Sequence, residues 1–249
     1  MFLLTSYPVS QNKEQVSDPL GLALRAYQDG DTNAEIIVHA NGFDDEVWPA
    51  ELFFQDSQSL QWYAKRALRI ARGRILDVGA GAGSHSLILQ RQGYNVEALE
   101  ISPLAADVIA DRGVKKVINA DFFSLQTQRR YDTILFLMNG VGIAGRLANL
   151  PNLFAKCREL LAPDGQIIMD TTDFSNVYSE LDLPTPTDRY VGEVLYTWEF
   201  QGQKSEPFWW LFADPDTLAA EASKAGFVPQ VVAQNDDYHE FLFRMTLKD

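Results

Sequence analysis

The residues with the clearest chemical potential are Asp77-Val78-Gly79-Ala80-Gly81-Ala82-Gly83, which join a short apolar run, Ile75-Leu76, to a stretch with helical spacing that opens at Ser84. Glycines in such a turn let the chain reverse tightly and let a ligand lie against bare backbone. A dinucleotide fingerprint, G-x-G-x-x-G, would put its third glycine at position 84, which is Ser84; here the third is Gly83. Asp77 ends the strand just before the glycines, where a carboxylate disfavours a pyrophosphate and favours a cation. The spacing therefore points to a positively charged nucleoside.

Two further acids follow at strand ends. Glu100 lies 21 residues beyond Gly79, matching the roughly 20-residue spacing of a carboxylate that grips ribose hydroxyls. Asp121, followed by Phe122, ends the next strand. Three acids at the carboxyl ends of three successive strands converge on one crevice. S-adenosylmethionine, with its sulfonium and α-ammonium, has the charge this crevice prefers.

Around that crevice the sequence requires alternating elements. Ile75 to Val78, Val96 to Glu100, Lys116 to Ala120, Thr133 to Leu137 and Gln166 to Asp170 read as buried strands, with helices over Ser84 to Gln92, Pro103 to Asp111 and Leu147 to Leu161 between them. The pattern predicts an α/β fold with a doubly wound, mostly parallel sheet over residues 73–249. Before it, Asp18-Pro19 opens one helix and Ser57 to Ala71 forms another, so residues 1–72 are predicted as an N-terminal helical extension or lid. Glu35 to Ala40 within it has strand composition, and the loop-like stretch to Pro49 stays unplaced. Residues 190–212 break the alternation with Tyr190, Tyr196, Trp198, Phe200, Phe208, Trp209, Trp210 and Phe212, and read as an inserted antiparallel hairpin turned by Gln201-Gly202-Gln203-Lys204. Asp216 to Ala225 closes the helices, and strands around Val228 to Ala233 and His239 to Leu247 end the chain.

Composition limits the partners. The chain has 249 residues with 21 basic and 34 acidic side chains, a net charge of −13, and no run of Lys or Arg. That field repels nucleic acid and anionic membranes. Met1-Phe2-Leu3-Leu4 is too short for a signal or a span, so a soluble cytoplasmic protein is expected. One cysteine, Cys157, makes no internal disulfide and reads as a buried small hydrophobe.

With Ile75-Leu76-Asp77-Val78-Gly79-Ala80-Gly81-Ala82-Gly83, Glu100, Asp121-Phe122 and Pro163-Asp164-Gly165-Gln166 on the page, the stretch from Gly73 to Asp170 resembles the class I S-adenosylmethionine-dependent methyltransferases. The resemblance implies a Rossmann-like seven-stranded sheet whose last strand is antiparallel. It assigns Asp77 and the turn, Gly79, Ala80, Gly81 and Gly83, to the methionine end, Glu100 to the ribose diol, Asp121 with Phe122 to the adenine, and Ile101 to packing against the adenine ring.

Methyl transfer is an in-line displacement that needs alignment more than a catalytic side chain. The expected acceptor is a small molecule. Asn139, after the fourth strand, is a candidate for contact with the acceptor or the methionine end, and equally a turn residue. His39 is a candidate base if the extension folds over the crevice. His85 reads as packing or capping beside the cofactor, and His239 as a surface residue. Tyr190, Trp209 and Trp210 are candidates to wall the acceptor pocket; the hairpin could otherwise pack on the sheet or form a homodimer surface. Asp170, Asp173 and Asn176 lack diagnostic metal spacing, and no metal is expected. Two rivals stay open: a protein that binds S-adenosylmethionine without transferring its methyl, and an NAD(P)-dependent oxidoreductase, against which Gly83 and Asp77 argue.

Overall fold

The computed structural model describes residues 17–175 and 177–248; Met1 to Leu4 and Asn176 lie outside them. In chain order the elements are α1 (Pro19–Gln28), β1 (Glu35–Ala40), β2 (Glu46–Pro49), α2 (Trp62–Ile70), β3 (Arg74–Val78), α3 (Ser84–Arg91), β4 (Asn95–Glu100), α4 (Pro103–Asp111), β5 (Val117–Asn119) and β6 (Tyr131–Phe136). There follow α5 (Leu150–Leu160), β7 (Leu161–Thr172), α6 (Val177–Glu180), β8 (Glu193–Phe200), β9 (Gln203–Lys204), β10 (Phe208–Leu211), α7 (Pro215–Lys224), β11 (Phe227–Asn235) and β12 (Glu240–Leu247). Short 3-10 turns occupy Ala50–Phe53 and Gly140–Ala144.

Seven strands form the main sheet in the order β11-β12-β7-β6-β3-β4-β5. The pairs from β7 to β5 are parallel, and β12 runs antiparallel to both neighbours. The closing strand therefore has the expected sense. Apolar runs such as Arg74–Val78 are buried because helices cover both faces. On one face Phe136, Phe154, Phe227 and Phe243 pack with α5 and α7, and on the other Ile75, Leu89, Leu135 and Ile168 pack with α2 and α3.

Helix starts follow their caps. The Asp18 carboxylate accepts from the Gly21 N–H at 2.9 Å, Ser102 Oγ accepts from Ala105 N–H at 2.9 Å, and each is followed by a proline at the first helical position. The helix expected from Ser57 instead begins at Trp62. Asp56 Oδ1 accepts from the N–H groups of Gln58 and Ser59, both at 2.9 Å, and holds those residues in a turn.

The N-terminal segment is not purely helical. Its β1 and β2 join β8, β9 and β10 in a second sheet of five strands, with β1 lying between β2 and β8 and all pairs antiparallel. The expected hairpin is present: Phe208 faces Tyr196 and Leu211 faces Glu193, with Gln201 (φ 48) and Gly202 (φ 79) turning the chain. It forms one side of a sheet completed on the other by residues about 160 positions earlier, as in the pairing of His39 with Thr197. Among the described residues no helix is long and apolar enough to cross a membrane.

The start of β8 meets the end of β10 with almost no space: Phe212 N–H donates to Gly192 C=O at 2.8 Å, and a Cβ at Gly192 would stand 1.7 Å from the Phe212 carbonyl oxygen. Because the obstacle is backbone, Gly192→Ala should destabilise the fold by about 1–3 kcal/mol. The check is thermal melting, where each kcal/mol should lower Tm by roughly 2–4 °C for a chain of this size.

Candidate active site

The three turn glycines all have left-handed backbone, with φ of +69° at Gly79, +58° at Gly81 and +78° at Gly83, but they meet different surroundings. A Cβ on Gly83 would reach Ile109 at 3.0 Å, and one on Gly81 would reach Phe53 at 3.3 Å. One on Gly79 would meet nothing within 4 Å. Gly83 thus serves helix–sheet packing, and Gly79 presents open backbone. Gly79 N–H and Ala80 N–H both donate to Leu99 C=O, at 2.9 and 3.1 Å, which fixes the loop to the end of β4.

Asp77 is buried at the end of β3 and accepts from Ser86 Oγ at 2.7 Å. The second oxygen accepts no hydrogen bond among the described residues, which leaves it for a cationic ligand group. His85 packs beside it as expected. Burial holds the imidazole below its ordinary pKa despite the attraction of the Asp77 charge, so it is neutral near pH 7.

Glu100 is 4% exposed, and its two oxygens each accept one backbone N–H at 2.9 Å, from Gly81 and from Ser102. Burial raises its pKa while those N–H groups, together with that of Ile101, oppose the rise. A carboxylate has about four lone-pair sites, so capacity remains for a ribose diol. Ile101, 66% exposed beside it, offers a bare apolar surface of the kind an adenine ring covers. Asp121 Oδ1 accepts from Ser124 N–H at 2.9 Å. Phe122 departs from expectation in one respect: its ring is in the core, 5.2 Å from that of Phe136 and perpendicular to it, so only its backbone can address a ligand.

The turn after β6 holds two consecutive residues in left-handed conformation, Met138 (φ 62) and Asn139 (φ 55), without a glycine. What holds them is Asp170, whose Oδ2 accepts from Asn139 N–H at 2.8 Å, while Thr172 Oγ1 donates to Asn139 Oδ1 at 3.0 Å. The other Asp170 oxygen is buried without a partner among the described residues, and burial pushes the carboxyl up to about 7. No signal in the sequence marks Asp170 for this task, because the left-handed pair it holds is visible only in three dimensions. No cluster of three or more metal-binding side chains occurs among the described residues.

Three expected acceptor residues are otherwise engaged. His39 Nδ1 lies 2.8 Å from Asp45 and Nε2 2.9 Å from Glu199, and both carboxylates raise its pKa. With both nitrogens in use, and with Ile36 and Val38 rather than His39 on the packed side of β1, it has no free site to accept a proton at the crevice. The Tyr190 hydroxyl donates to Asp214 Oδ2 at 2.5 Å and accepts from Asp214 N–H at 2.8 Å, so it braces the cap of α7. Trp209 lies beneath Arg146, whose guanidinium carbon is 4.2 Å from the ring centroid. Trp210 remains: its indole packs on Gly142, just past β6, where a Cβ would come within 2.0 Å of Nε1.

A Gly-rich loop between β3 and α3 and an acid closing β4, at the carboxyl edge of a seven-stranded sheet with one antiparallel strand, define the class I S-adenosylmethionine-dependent methyltransferase fold. The profile of the methyltransferase-domain family matches residues 54–232, and the chain belongs to that family. It is 34% identical to an S-adenosylmethionine-dependent methyltransferase from Bacteroides fragilis solved with S-adenosylhomocysteine, over 93% of this chain and 95% of that one, with a TM-score of 0.85. A sugar N-methyltransferase from Streptoalloteichus shares the fold at 16% identity and a TM-score of 0.57, over 80% of this chain and 92% of that one. A ubiquinone biosynthesis O-methyltransferase of Erwinia tasmaniensis is 24% identical over 115 residues, 45% of this chain; the chain spans about half that relative's length, 47%.

Glu100→Gln should weaken S-adenosylhomocysteine binding by about 1.5–3 kcal/mol, roughly 10- to 150-fold by titration calorimetry, because an amide sets one NH2 against the N–H donors and lacks the charge that strengthens a ribose contact. Unchanged affinity would refute the ribose role.

Asp170 is the group to test by pH. Its folded pKa, about 7, lies above the ordinary 3.8, so between these values the folded chain retains a proton that the unfolded chain has lost. That stabilisation is complete below pH 3.8 and is lost as pH rises to about 7. Asp170→Asn cannot ionise, so its Tm relative to the parent should climb across that interval in melts run from about pH 4 to 8. A constant offset would mean the carboxyl does not titrate there.

Proposed function

We propose that the protein transfers a methyl group from S-adenosylmethionine to a small-molecule acceptor held on the β6–β7 side of the carboxyl edge. The observation that carries this reading is the pairing of Glu100, with unspent acceptor capacity, and Gly79, with open backbone, on one edge of a sheet shared with the Bacteroides relative. When bound, the cofactor supplies a methyl carbon already activated by positive sulfur. Asp77 would orient the ammonium end, Glu100 the ribose, and Ile101 the adenine.

The chain's own part is then alignment and exclusion of water. The N-terminal segment, 1–72, serves as a lid on the methyltransferase domain, 73–249. Phe53 reaches over Gly81, Ser84 Oγ donates to Phe53 C=O at 2.7 Å, and Ser102 Oγ donates to Asp18 at 2.6 Å. The acceptor is a small molecule because this edge is roofed by the second sheet rather than opened as a groove for a polymer, and because the net charge of −13 opposes nucleic acid.

The test is a thermal-shift comparison of S-adenosylmethionine, S-adenosylhomocysteine and NADH on the full chain, followed by a screen for S-adenosylhomocysteine formation with small acceptors. Ligand at about 100 times its dissociation constant should add roughly 2.7 kcal/mol. Stabilisation by the first two and turnover with an acceptor are expected. A shift with NADH alone would overturn the cofactor reading, and tight cofactor binding with no turnover across the screen would favour a non-catalytic binder.

A further inference from the structure

Between the end of β7 and the second sheet lies a ring of aromatic side chains that the cofactor does not need. Tyr178 on α6 faces Phe43 at 5.2 Å between centroids, Phe43 faces Phe174 at 6.1 Å, Phe174 stacks on Phe212 at 4.3 Å, and Phe212 meets Tyr196 edge-on at 6.4 Å. Phe174 stands two residues past the carboxyl end of β7, and Ala82 of the glycine loop belongs to the same packed cluster. The ring therefore sits on the acceptor side of the edge where the cofactor would lie. Phe43 and Phe174 are half-buried and form its open side, whereas Tyr178 is 4% exposed at its back.

Two features point to a ligand. The Tyr178 hydroxyl is sealed from solvent and has no hydrogen-bond partner among the described residues, an unfavourable state for a polar group unless something satisfies it. An acid also stands on this face of the second sheet: Glu46 pairs with Val38, two residues along β1 from Ala40, the partner of Tyr196, and its charge acts on the Tyr196 hydroxyl. Arg146 and Arg189 both stack on Trp209, which alternates to the opposite face of β10 from Phe208 and Trp210.

Aromatic faces with an acid nearby attract positive charge. The inventory of bases agrees. An alcohol or phenol acceptor must lose its proton, yet His39 has both nitrogens on carboxylates, and of the two Asp170 oxygens one is held by Asn139 N–H and the other is sealed from solvent. A neutral amine needs no base to attack: its lone pair forms the N–C bond, the C–S pair returns to sulfur, and the positive charge passes from sulfur to nitrogen. The proton then leaves the methylated ammonium to solvent.

Resting on the function proposed above, we propose that this chamber of Phe43, Phe174, Tyr178, Tyr196 and Phe212 is the acceptor site, and that its acceptor is an amine. Tyr178 accepts an N–H of the amine and aims its lone pair. The ring faces and Glu46 hold the positive charge that develops on nitrogen.

Three matched probes test this by calorimetry on the full chain with S-adenosylhomocysteine present: benzylamine, benzyl alcohol and benzoate. Benzylamine should bind tightest and benzoate weakest. Tyr178→Phe should weaken benzylamine about three- to tenfold without lowering Tm, since its hydroxyl has no partner to lose, and Glu46→Gln should weaken benzylamine more than benzyl alcohol. Equal affinities, tightest binding of benzoate, no binding of any probe, or indifference of benzylamine to both variants would overturn the assignment. The same titrations first measure S-adenosylhomocysteine, so failure of the cofactor reading shows as loss of that binding, and failure of the chamber alone shows with it intact.

Discussion

The Glu100 carboxylate is the constraint on which the rest of the site depends. It is nearly sealed from water, and it satisfies the Gly81 N–H of the glycine loop with one oxygen and the Ser102 N–H at the head of α4 with the other. Burying a charge is unfavourable unless hydrogen bonds compensate it. Those two N–H groups are what makes a carboxylate tolerable at the end of β4, and in return it fixes the loop and the helix to one point. From Ser102 the linkage runs on to Asp18 and hence to α1. The cofactor edge and the N-terminal cover are thus held by one chain of polar contacts.

A second sheet lies against the carboxyl edge of the first, where Trp210 of β10 packs on the turn after β6. A methyltransferase sheet leaves its carboxyl edge open, and here strands from residues 35–49 and 193–211 roof it together. Gly192 and Gly142 mark where the roof approaches most closely: one lets β8 and β10 touch backbone to backbone, and the other lets Trp210 lie on the turn after β6. Aromatic side chains suit such a roof because each fills much volume with few rotatable bonds. Among the described residues, the Trp198 indole N–H within it and the Tyr178 hydroxyl beside it are nevertheless left without hydrogen-bond partners. A layer that served packing alone would place Phe at such positions.

Strained backbone and buried charge coincide after β6. Met138 and Asn139 adopt left-handed conformation without glycine, and Asp170 holds them at the expense of a carboxyl that burial drives toward neutrality. Strain of this kind persists where surrounding contacts over-determine it, which is a feature of functional edges.

The sequence by itself determined the main sheet, the order of strands and helices in it, and the placing of three acids at strand ends, because each rests on a local signal. Apolar runs ending in Gly, Asp or Glu set the strands, Asp-Pro and Ser-Pro pairs set the helix starts, and the positions of Asp77, Glu100 and Asp121 follow from strand ends alone. Asp56, which delays α2 to Trp62, was already beyond reach, since a side-chain turn competes with helical periodicity over only a few residues. Tertiary structure decided everything that depends on partners distant in the chain. The union of β1 with β8 turned a helical extension into half of a second sheet, the carboxylates Asp45 and Glu199 closed both nitrogens of His39, and the Phe136 packing drew the Phe122 ring inward. Local pattern fixes which face of an element is apolar; which other element covers that face is settled only when the whole chain closes.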